Sequence, residues 1–346
     1  MQEILQKLVG FKTISNDKEE NKKAIEYVKS QLPPNLEIKE KSYNGHPTIV
    51  IGKDSPEICL QAHIDVVPAK ESAFATKTTD GKMYGRGVYD MKFAIACYIK
   101  LLQEVDLSKA NFGVMITSDE EVGGFNGVKK VLEDGYSPSF CLLPDGERVW
   151  NIDTKAKGAY HFQIQAKGKS GHASRPWEGD SAMHRLLGFL HELQGFFPKV
   201  KEDGFQNTLN VGVVNGGSVA NQLAEDALAK IDIRFVSEED RQKIEKKLTE
   251  LQEKYGVGVK QAIYAPFFDG NTEDKHFERF IDICQKNNRQ LTMHPSHATS
   301  DARFFSEKNI PTLVTRPSGG GSHSGNEWID LEDLEVFYKI LKDFVQ

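Results

Sequence analysis

The 346-residue sequence has few cysteines and no paired cysteine motif. The four that it has are scattered, with no C-x-x-C pair, and each lies in an apolar stretch where a reduced thiol packs as a small hydrophobic side chain. They are Cys59, Cys97, Cys141 and Cys284. A disulfide framework is therefore excluded, and we expect a protein of the reducing cytoplasm.

Features of membrane-spanning, secreted and nucleic-acid-binding proteins are also missing. No apolar run approaches the roughly 18 residues of a membrane-spanning helix, and the first residues do not resemble a secretory signal. Lys and Arg number 44 against 50 Asp and Glu, which gives a formal net charge of −6 without a basic block. We expect neither a membrane nor a nucleic acid as a partner.

Apolar periodicity predicts strands that alternate with helices in the first part of the chain. The predicted elements are helix 17–32, strands 36–43, 48–52 and 57–64, a helix that opens at Asp90, strand 111–117, helix 126–134 and strand 139–143. Such alternation predicts an α/β fold, with a mostly parallel sheet that helices cover on both faces.

A self-contained series of elements interrupts this pattern after about residue 155. Its order is strand 158–167, helix 180–197, strands 208–214 and 227–236, helix 238–255 and strand 257–264, a βαββαβ unit of the ferredoxin-like type. The α/β pattern then resumes with helix 274–287, strand 312–316 and helix 330–345. We predict a discontinuous domain of residues 1–155 and 265–346, and an inserted domain of residues 156–264.

Polar residues directly after apolar strands are candidates for ligand binding, because ligands of an α/β sheet bind beyond the carboxyl ends of its strands. His63 and Asp65 follow the run 58–62 and point to the same side of an extended segment. The Asp65 carboxylate would then orient the ring of His63, as a metal-ligating histidine requires. Taken alone, an H-x-D pair more often has a structural role.

Two acidic sites follow along the chain. Asp90 ends a glycine-rich turn before a helix, and an ordinary N-cap is the alternative interpretation. Asp119, Glu120 and Glu121 follow the apolar run 112–116. Three adjacent acids repel one another unless a cation is nearby, and simple surface exposure is the alternative.

The last two candidates come from the third strand end and from a late glycine-rich loop. Asp145 follows the run 139–143, where it could equally be a turn residue. His323 follows a glycine run that lacks the Lys-Ser/Thr of a phosphate-binding loop, and a flexible loop is the alternative.

Together these residues form a nitrogen and oxygen donor set that suits zinc, cobalt or manganese. The candidate ligands are His63, Asp90, Glu121, Asp145 and His323. Two dications about 4 Å apart repel by roughly 16 kcal/mol at an effective dielectric of 20, so a bridging carboxylate is needed between them. We expect two divalent ions, with Asp90 as the bridge.

The order of the motifs resembles one known family. The motifs are H-I-D at 63–65, G-R-G-V-Y-D-M-K at 85–92, D-E-E-V-G-G at 119–124, the acid at 145, G-K-S-G-H-A at 168–173 and S-H at 322–323. They resemble the dinuclear zinc metallopeptidases and deacylases, among them acetylornithine deacetylase, succinyl-diaminopimelate desuccinylase, aminoacylase, carboxypeptidase G and related dipeptidases. The resemblance covers residues 60–327 and implies a catalytic domain interrupted by a lid domain that usually forms a homodimer.

Carried over by position, the resemblance also implies roles for the acidic and histidine side chains. Asp90 is implied as the carboxylate that bridges the two metals, and Glu120 as the general base. Asp65 is implied as a residue that supports a ligand without binding metal itself. The terminal ligands implied are His63, Glu121, Asp145 and His323. The implied reaction is the hydrolysis of an amide bond.

Three residues of the inserted domain match further family positions. The histidine that matches His172 reaches the partner subunit's active site in the family, where it stabilises an oxyanion, although a surface-loop histidine is the alternative. Arg234 and Asn221 are implied to grip a substrate carboxylate. In the alternative interpretation Arg234 pairs with a neighbouring acid on its own strand.

The resemblance also bears on the substrate. Deacylases of the family generally have Glu where this chain has Asp145, which favours peptides with a free amino end over N-acyl amino acids of the acetylornithine or succinyl-diaminopimelate type. A non-catalytic binding protein should have lost ligands, and none of the five is missing. A phosphoesterase would need a basic cluster beside the metals, for which the sequence gives no clear candidate.

Overall fold

The computed structural model describes residues 1–106, 110–202 and 204–346. The chain divides into two compact units, one of Met1–Thr154 with Asp269–Gln346 and one of Lys155–Phe268. We call them the discontinuous unit and the inserted unit. Within the described ranges, no helix combines the length and the apolar character needed to cross a membrane.

The helices and strands of both units are numbered in chain order. The helices are α1 (Gln2–Gly10), α2 (Lys18–Ser30), α3 (Lys92–Glu104), α4 (Val128–Glu133), α5 (Ala182–Phe196), α6 (Glu238–Tyr255), α7 (Lys275–Lys286), α8 (Ala302–Glu307) and α9 (Leu331–Val345). The strands are β1 (Ile38–Tyr43), β2 (His46–Ile51), β3 (Ile58–His63), β4 (Lys77–Thr79), β5 (Lys82–Tyr84), β6 (Phe112–Thr117), β7 (Phe140–Leu143), β8 (Asn151–Ala156), β9 (Gly158–Lys167), β10 (Thr208–Gly216), β11 (Asp226–Phe235), β12 (Val257–Ala265), β13 (Phe268–Asp269), β14 (Thr292–Ser296), β15 (Thr312–Val314), β16 (Gly319–Gly320) and β17 (Trp328–Asp330).

The discontinuous unit is built on a sheet with the strand order β1-β2-β6-β3-β7-β15. β6, β3, β7 and β15 run parallel, whereas β1 and β2 form an antiparallel hairpin at one edge. Every residue of β3, β6 and β7 is buried, as expected of parallel strands that are covered on both faces. The predicted α/β fold with a mostly parallel sheet is confirmed.

Helix α3 starts two residues later than predicted. It begins at Lys92, with Met91 as its cap and without a side-chain cap bond, so Asp90 stands in the preceding loop and does not serve as the N-cap. The buried ammonium of Lys92 donates hydrogen bonds to the backbone oxygens of Leu8 (3.1 Å) and Phe11 (2.9 Å) near the end of α1. These bonds join the start of α3 to the end of α1.

The inserted unit has the predicted βαββαβ order, which is also confirmed. Its antiparallel sheet has the order β10-β11-β9-β12, the arrangement of a ferredoxin-like fold. Apolar residues of α5 and α6 pack with those of β9 and β11 in a core of their own, for example Phe189, Leu248, Ile164 and Ile233. β10 lies at an edge of this sheet, and most of its residues are exposed.

Several short elements have no counterpart among the predicted ones. β4, β5, β16 and β17 form a small sheet of strands with two or three residues each, and α8 has six residues. Segments of this length are too short to show a helical or alternating period. They matter here because β5 and β16 lead into the loops that carry Asp90 and His323.

Candidate metal centre

The carboxyl ends of the parallel strands bring the predicted ligands to one edge of the sheet. His63 is the last residue of β3, in register with the last residue of β6. Glu121 and Asp145 follow the ends of β6 and β7. Asp90 and His323 arrive in loops, before α3 and after β16. Residues that are far apart in the sequence meet here because neighbouring parallel strands end side by side.

Asp90 lies between the two histidines. Its Oδ1 atom is 3.2 Å from Nε2 of His63, and its Oδ2 atom is 3.1 Å from Nε2 of His323. The same Nε2 atom of His323 is 3.1 Å from the Glu121 carboxylate. Each oxygen of Asp90 therefore faces a different histidine, as a bridging carboxylate would.

Two groups of side chains could each hold a metal ion. His63, Asp90 and Asp145 form one group, and Asp90, Glu121 and His323 form the other, with ligand atoms within 4.8 Å of one another in each. Their imidazole nitrogens and carboxylate oxygens fit a divalent transition metal. The structure thus brings all five predicted ligands together, with Asp90 common to both groups, and their metal binding stays a prediction.

Burial and crowding shift the pKa values of these groups in opposite directions. Burial and the nearby charge of Asp90 raise the pKa of Asp145 to about 7. Burial alone would raise the pKa of Asp90, but hydrogen bonds with His323 and His63 hold it well below its usual value. Hydrogen bonds to Asp90 and Glu121 raise the pKa of His323 to about 10. Metal binding requires the deprotonated forms of these groups, and a dication supplies the charge that stabilises the carboxylates.

The carboxylate of Asp65 lies beside the His63 ring and also accepts hydrogen bonds that the sequence did not predict. Its Oδ1 atom lies 3.5 Å from Nδ1 of His63, which is too far for a good hydrogen bond, whereas the backbone oxygen of Asp65 lies 3.0 Å from that nitrogen. The carboxylate instead accepts hydrogen bonds from the backbone N–H groups of Glu120 and Glu121, both at 3.2 Å, and from the Ser15 hydroxyl at 2.7 Å. Asp65 therefore orients the ring through its backbone and anchors the acidic turn through its side chain.

A sequence model of peptidase family M20/M25/M40 matches residues 59–346. The chain belongs to this family. The match extends over most of the chain, from within β3 to the last residue, and it confirms the resemblance drawn from the motifs. The protein is accordingly a hydrolase of the M20 family.

Relatives with names or solved structures span nearly the whole chain. A succinyl-diaminopimelate desuccinylase of Rickettsia felis is 29% identical over 99% of this chain and 98% of its own length. A tripeptidase from Staphylococcus aureus has a similar fold, with a TM-score of 0.80 and 20% identity over 99% of this chain and 96% of its own. Aminopeptidase PepT from Bacillus cereus is similar at a TM-score of 0.82 and 19% identity, over 99% and 96% of the two chains.

The loop that presents Asp90 is held by a buried acid that the sequence motifs do not reveal. The carboxylate of Glu327 accepts hydrogen bonds from the backbone N–H groups of Gly87 (2.9 Å), Tyr89 (2.9 Å) and Asp90 (3.0 Å). The Arg86 guanidinium donates to the same carboxylate at 2.6 Å. Glu327 follows His323 by four residues in a polar loop, and nothing in the local sequence distinguishes it from a solvated acid.

Two buried arginines support other parts of the site. Arg316 donates to the Asp145 carboxylate at 3.1 Å. Arg303 donates to the backbone oxygen of Gly123 at 2.6 Å, just after the Glu120–Val122 turn. Burial also raises the pKa of the Glu120 carboxyl well above its usual value. The turn that carries the predicted base is therefore fixed from two sides, by Asp65 and by Arg303.

His172 and Asn221 of the inserted unit lie together and are exposed. The backbone N–H of Ala173 donates to the backbone oxygen of Asn221 at 2.9 Å, and His172 forms an isolated bridge with the residue after Asn221. The imidazole Nδ1 of His172 is 2.7 Å from the Ser174 hydroxyl. This contact occupies one ring nitrogen and leaves Nε2 as the atom that could donate to a substrate.

Arg234 pairs with an acid on its own strand, as the alternative interpretation expects. Its guanidinium makes a two-pronged pair with Asp232, at 2.8 and 3.0 Å. It lies near the end of β11, whereas Asn221 precedes the start of this strand, and the stretch of β11 from Asp226 to Arg234 alone spans about 26 Å at roughly 3.3 Å per residue. Within one chain, Arg234 and Asn221 are not brought together on one small carboxylate.

We expect Glu327→Gln to weaken metal binding by about 10- to 100-fold, the usual effect of removing a group that orients a metal ligand. The carboxylate of Glu327 accepts from four donors, whereas the amide of Gln has only one acceptor oxygen and an NH2 group that is itself a donor. The loop of Asp90 therefore loses hydrogen bonds that hold it in place. Competition with a zinc chelator measures the affinity. Glu332→Gln, an exposed acid in the first turn of α9, is the matched control and should bind zinc as the wild type does. Equal affinities for both variants would show that Glu327 does not position Asp90.

Proposed function

We propose that this hydrolase cleaves an amide bond of a small peptide or an N-acylated amino acid. The observation that supports this most strongly is the placement of Asp90 between His63 and His323, with the acidic turn of Glu120 and Glu121 beside it. Membership of a peptidase family whose relatives include a desuccinylase and a tripeptidase agrees with an amide substrate.

We propose two zinc ions as cofactors, with cobalt or manganese as alternatives. His63 and Asp145 would hold one ion, Glu121 and His323 the other, and Asp90 would bridge them. When bound, such ions polarise a carbonyl group and lower the pKa of a water molecule.

Glu120 serves as the general base in this proposal. It adjoins the proposed ligand Glu121, and its backbone N–H is held by Asp65 at 3.2 Å. Neither of the two ligand groups described above contains its carboxylate. Glu120 takes a proton from the attacking water. Glu120 then delivers this proton to the leaving amine, as acid–base catalysis requires.

Asp145 favours peptides with a free amino end as substrates. Its side chain is one methylene shorter than that of Glu, which leaves more space beside the centre for an ammonium group. An N-acyl amino acid deacylase is the second candidate, because the Rickettsia felis relative is named succinyl-diaminopimelate desuccinylase. A non-catalytic binding role is a remote alternative, since all five predicted ligands are present.

A first test is a panel of dipeptides, tripeptides and N-acyl amino acids, assayed for released amine with zinc, cobalt or manganese. In that assay Glu120→Gln should lose about 10²–10⁴-fold in turnover, the usual contribution of acid–base catalysis, while elemental analysis finds the wild-type metal content. Glu121→Gln is the neighbouring control, and like His323→Ala and Asp90→Ala it should lose metal first. A Glu120→Gln protein that loses its metal would contradict the assignment of Glu120 as base.

Asp145→Glu separates the two candidate substrate classes. The longer side chain should lower kcat/KM for dipeptides more than for N-acyl amino acids, because it fills the space proposed for the ammonium group. Steady-state kinetics on a matched pair, such as alanyl-alanine and N-acetyl-alanine, measures the difference. Equal losses on both substrates would remove the argument for a peptidase.

We further propose a homodimer formed through the inserted unit, in which His172 completes the site of the partner by stabilising the oxyanion. Arg234 and Asn221 are proposed to bind a substrate carboxylate. Because Asn221 precedes β11 and Arg234 lies near its end, they would have to come from different subunits to bind the same carboxylate. The Arg234 guanidinium must then also leave or share Asp232.

Subunit mixing tests the role of His172 across the dimer. His172→Ala and Glu120→Ala dimers should each be nearly inactive, since one lacks the oxyanion donor and the other the base. Mixing equal amounts should restore about a quarter of wild-type activity, because half of the dimers are mixed and each of these has one intact site. His184→Ala, an exposed histidine on α5, is the control and should be fully active alone. No recovery under conditions that exchange subunits would mean that His172 does not act in trans.

A further inference from the structure

An open cavity in the discontinuous unit has His323 in its wall. Its volume is about 480 Å³, enough for a small organic acid or an amino-acid side chain. Three stretches form the wall, at 68–77, 84–86 and 323–327. Because Nε2 of His323 contacts both Asp90 and Glu121, the cavity lies next to the proposed metal centre.

The charged residues of this wall leave an excess of positive charge. Lys70, Lys77 and Arg86 line the cavity together with one acid, Glu327. The carboxylate of Glu327 is already bound by Arg86 and by three backbone N–H groups, so it is neutralised where it lies. Among the described residues, no ion pair or hydrogen bond of the Lys70 or Lys77 side chain is found, and two ammonium groups remain for a ligand.

The acid next to Lys70 in sequence does not cancel this charge. Glu71, next to Lys70 in sequence, forms its ion pair with Lys12. Hydroxyl groups of Ser72 and Ser324 also line the cavity and can donate hydrogen bonds to an anion. A small, open, cationic cavity with hydroxyl donors is suited to a carboxylate.

We propose that Lys70 and Lys77 form a subsite for a carboxylate of the substrate, one that is separate from the amide bond being cleaved. This inference rests on the proposed amide hydrolysis and gives it a substrate class, namely peptides or acyl amino acids with an additional acidic group. The group enters the cavity beside His323 while the amide lies at the metal centre. The two ammonium groups then contribute to binding more than to the chemical step.

Kinetics on matched acids and amides test the subsite. Succinyl-alanine and its neutral succinamoyl analogue differ in one carboxylate on the acyl side, and alanyl-glutamate and alanyl-glutamine differ in one on the amine side. For at least one pair, the acid should have the lower KM, and the K70Q/K77Q double variant should raise this KM about three- to tenfold with kcat little changed. The effect is modest because exposed charge pairs are weak, and it should shrink at high salt.

The matched control is Lys82→Gln. Lys82 lies on β5 near the cavity, but its ammonium stands over the Trp328 ring, 3.9 Å from the centroid, and the residue does not line the wall. This variant should keep the wild-type KM for every substrate. An identical KM of wild type and K70Q/K77Q for both acids would overturn the subsite even if hydrolysis is efficient.

A binding measurement separates this proposal from the proposed reaction. Succinate and succinamate each offer one carboxylate to a metal centre, and succinate has a second one for the lysines. Calorimetry with the zinc-loaded protein should show tighter binding of succinate, by about three- to tenfold, and this preference should disappear in K70Q/K77Q. If the preference is found but no amide is cleaved, the subsite stands and the proposed reaction fails. If the two compounds bind equally, the subsite is wrong whatever the enzyme cleaves.

Discussion

The close approach of several carboxylates around Asp90 is the constraint on which the rest of the site depends. Buried acids repel one another unless positive charge lies among them. Here two histidines supply part of that charge, at 3.2 and 3.1 Å from the two oxygens of Asp90. Burial, and after it the nearby charge of Asp90, still raises the pKa of Asp145 to about 7. A divalent cation in each ligand group would complete the compensation, which is why this donor set is suited to metal binding.

Backbone hydrogen bonds keep this crowded arrangement in place. Glu327 accepts three backbone N–H groups from the loop that presents Asp90, and Asp65 accepts two from the turn that presents Glu120 and Glu121. Neither loop has a regular element of more than one turn to hold it, so a buried acid takes that role. Backbone N–H donors also stabilise the ionised form of a carboxylate, which lets both acids be buried near other negative charges.

Sequence patterns predicted most of the longer elements and missed the small sheet of β4, β5, β16 and β17. The parallel strands and the βαββαβ unit were predictable because each spans enough residues to show its period. The two- and three-residue strands that lead into the Asp90 and His323 loops could not be predicted in this way. These strands nevertheless help to position two of the five candidate ligands. The hydrogen bonds from the acidic turn to the Asp65 carboxylate were also missed, since an H-x-D spacing points only to the histidine ring.

Local patterns in the sequence by themselves determined the α/β class, the inserted unit and the candidate ligands His63, Glu121 and Asp145, because an acid or histidine at the end of a parallel strand has its position set by that strand. Only the tertiary structure decided which loop acids point inward. Glu327 and its partner Arg86 are 241 residues apart, and their contact depends on how two loops pack after the sheet has formed. The direction of a loop side chain is set by such distant partners, and no local pattern records it.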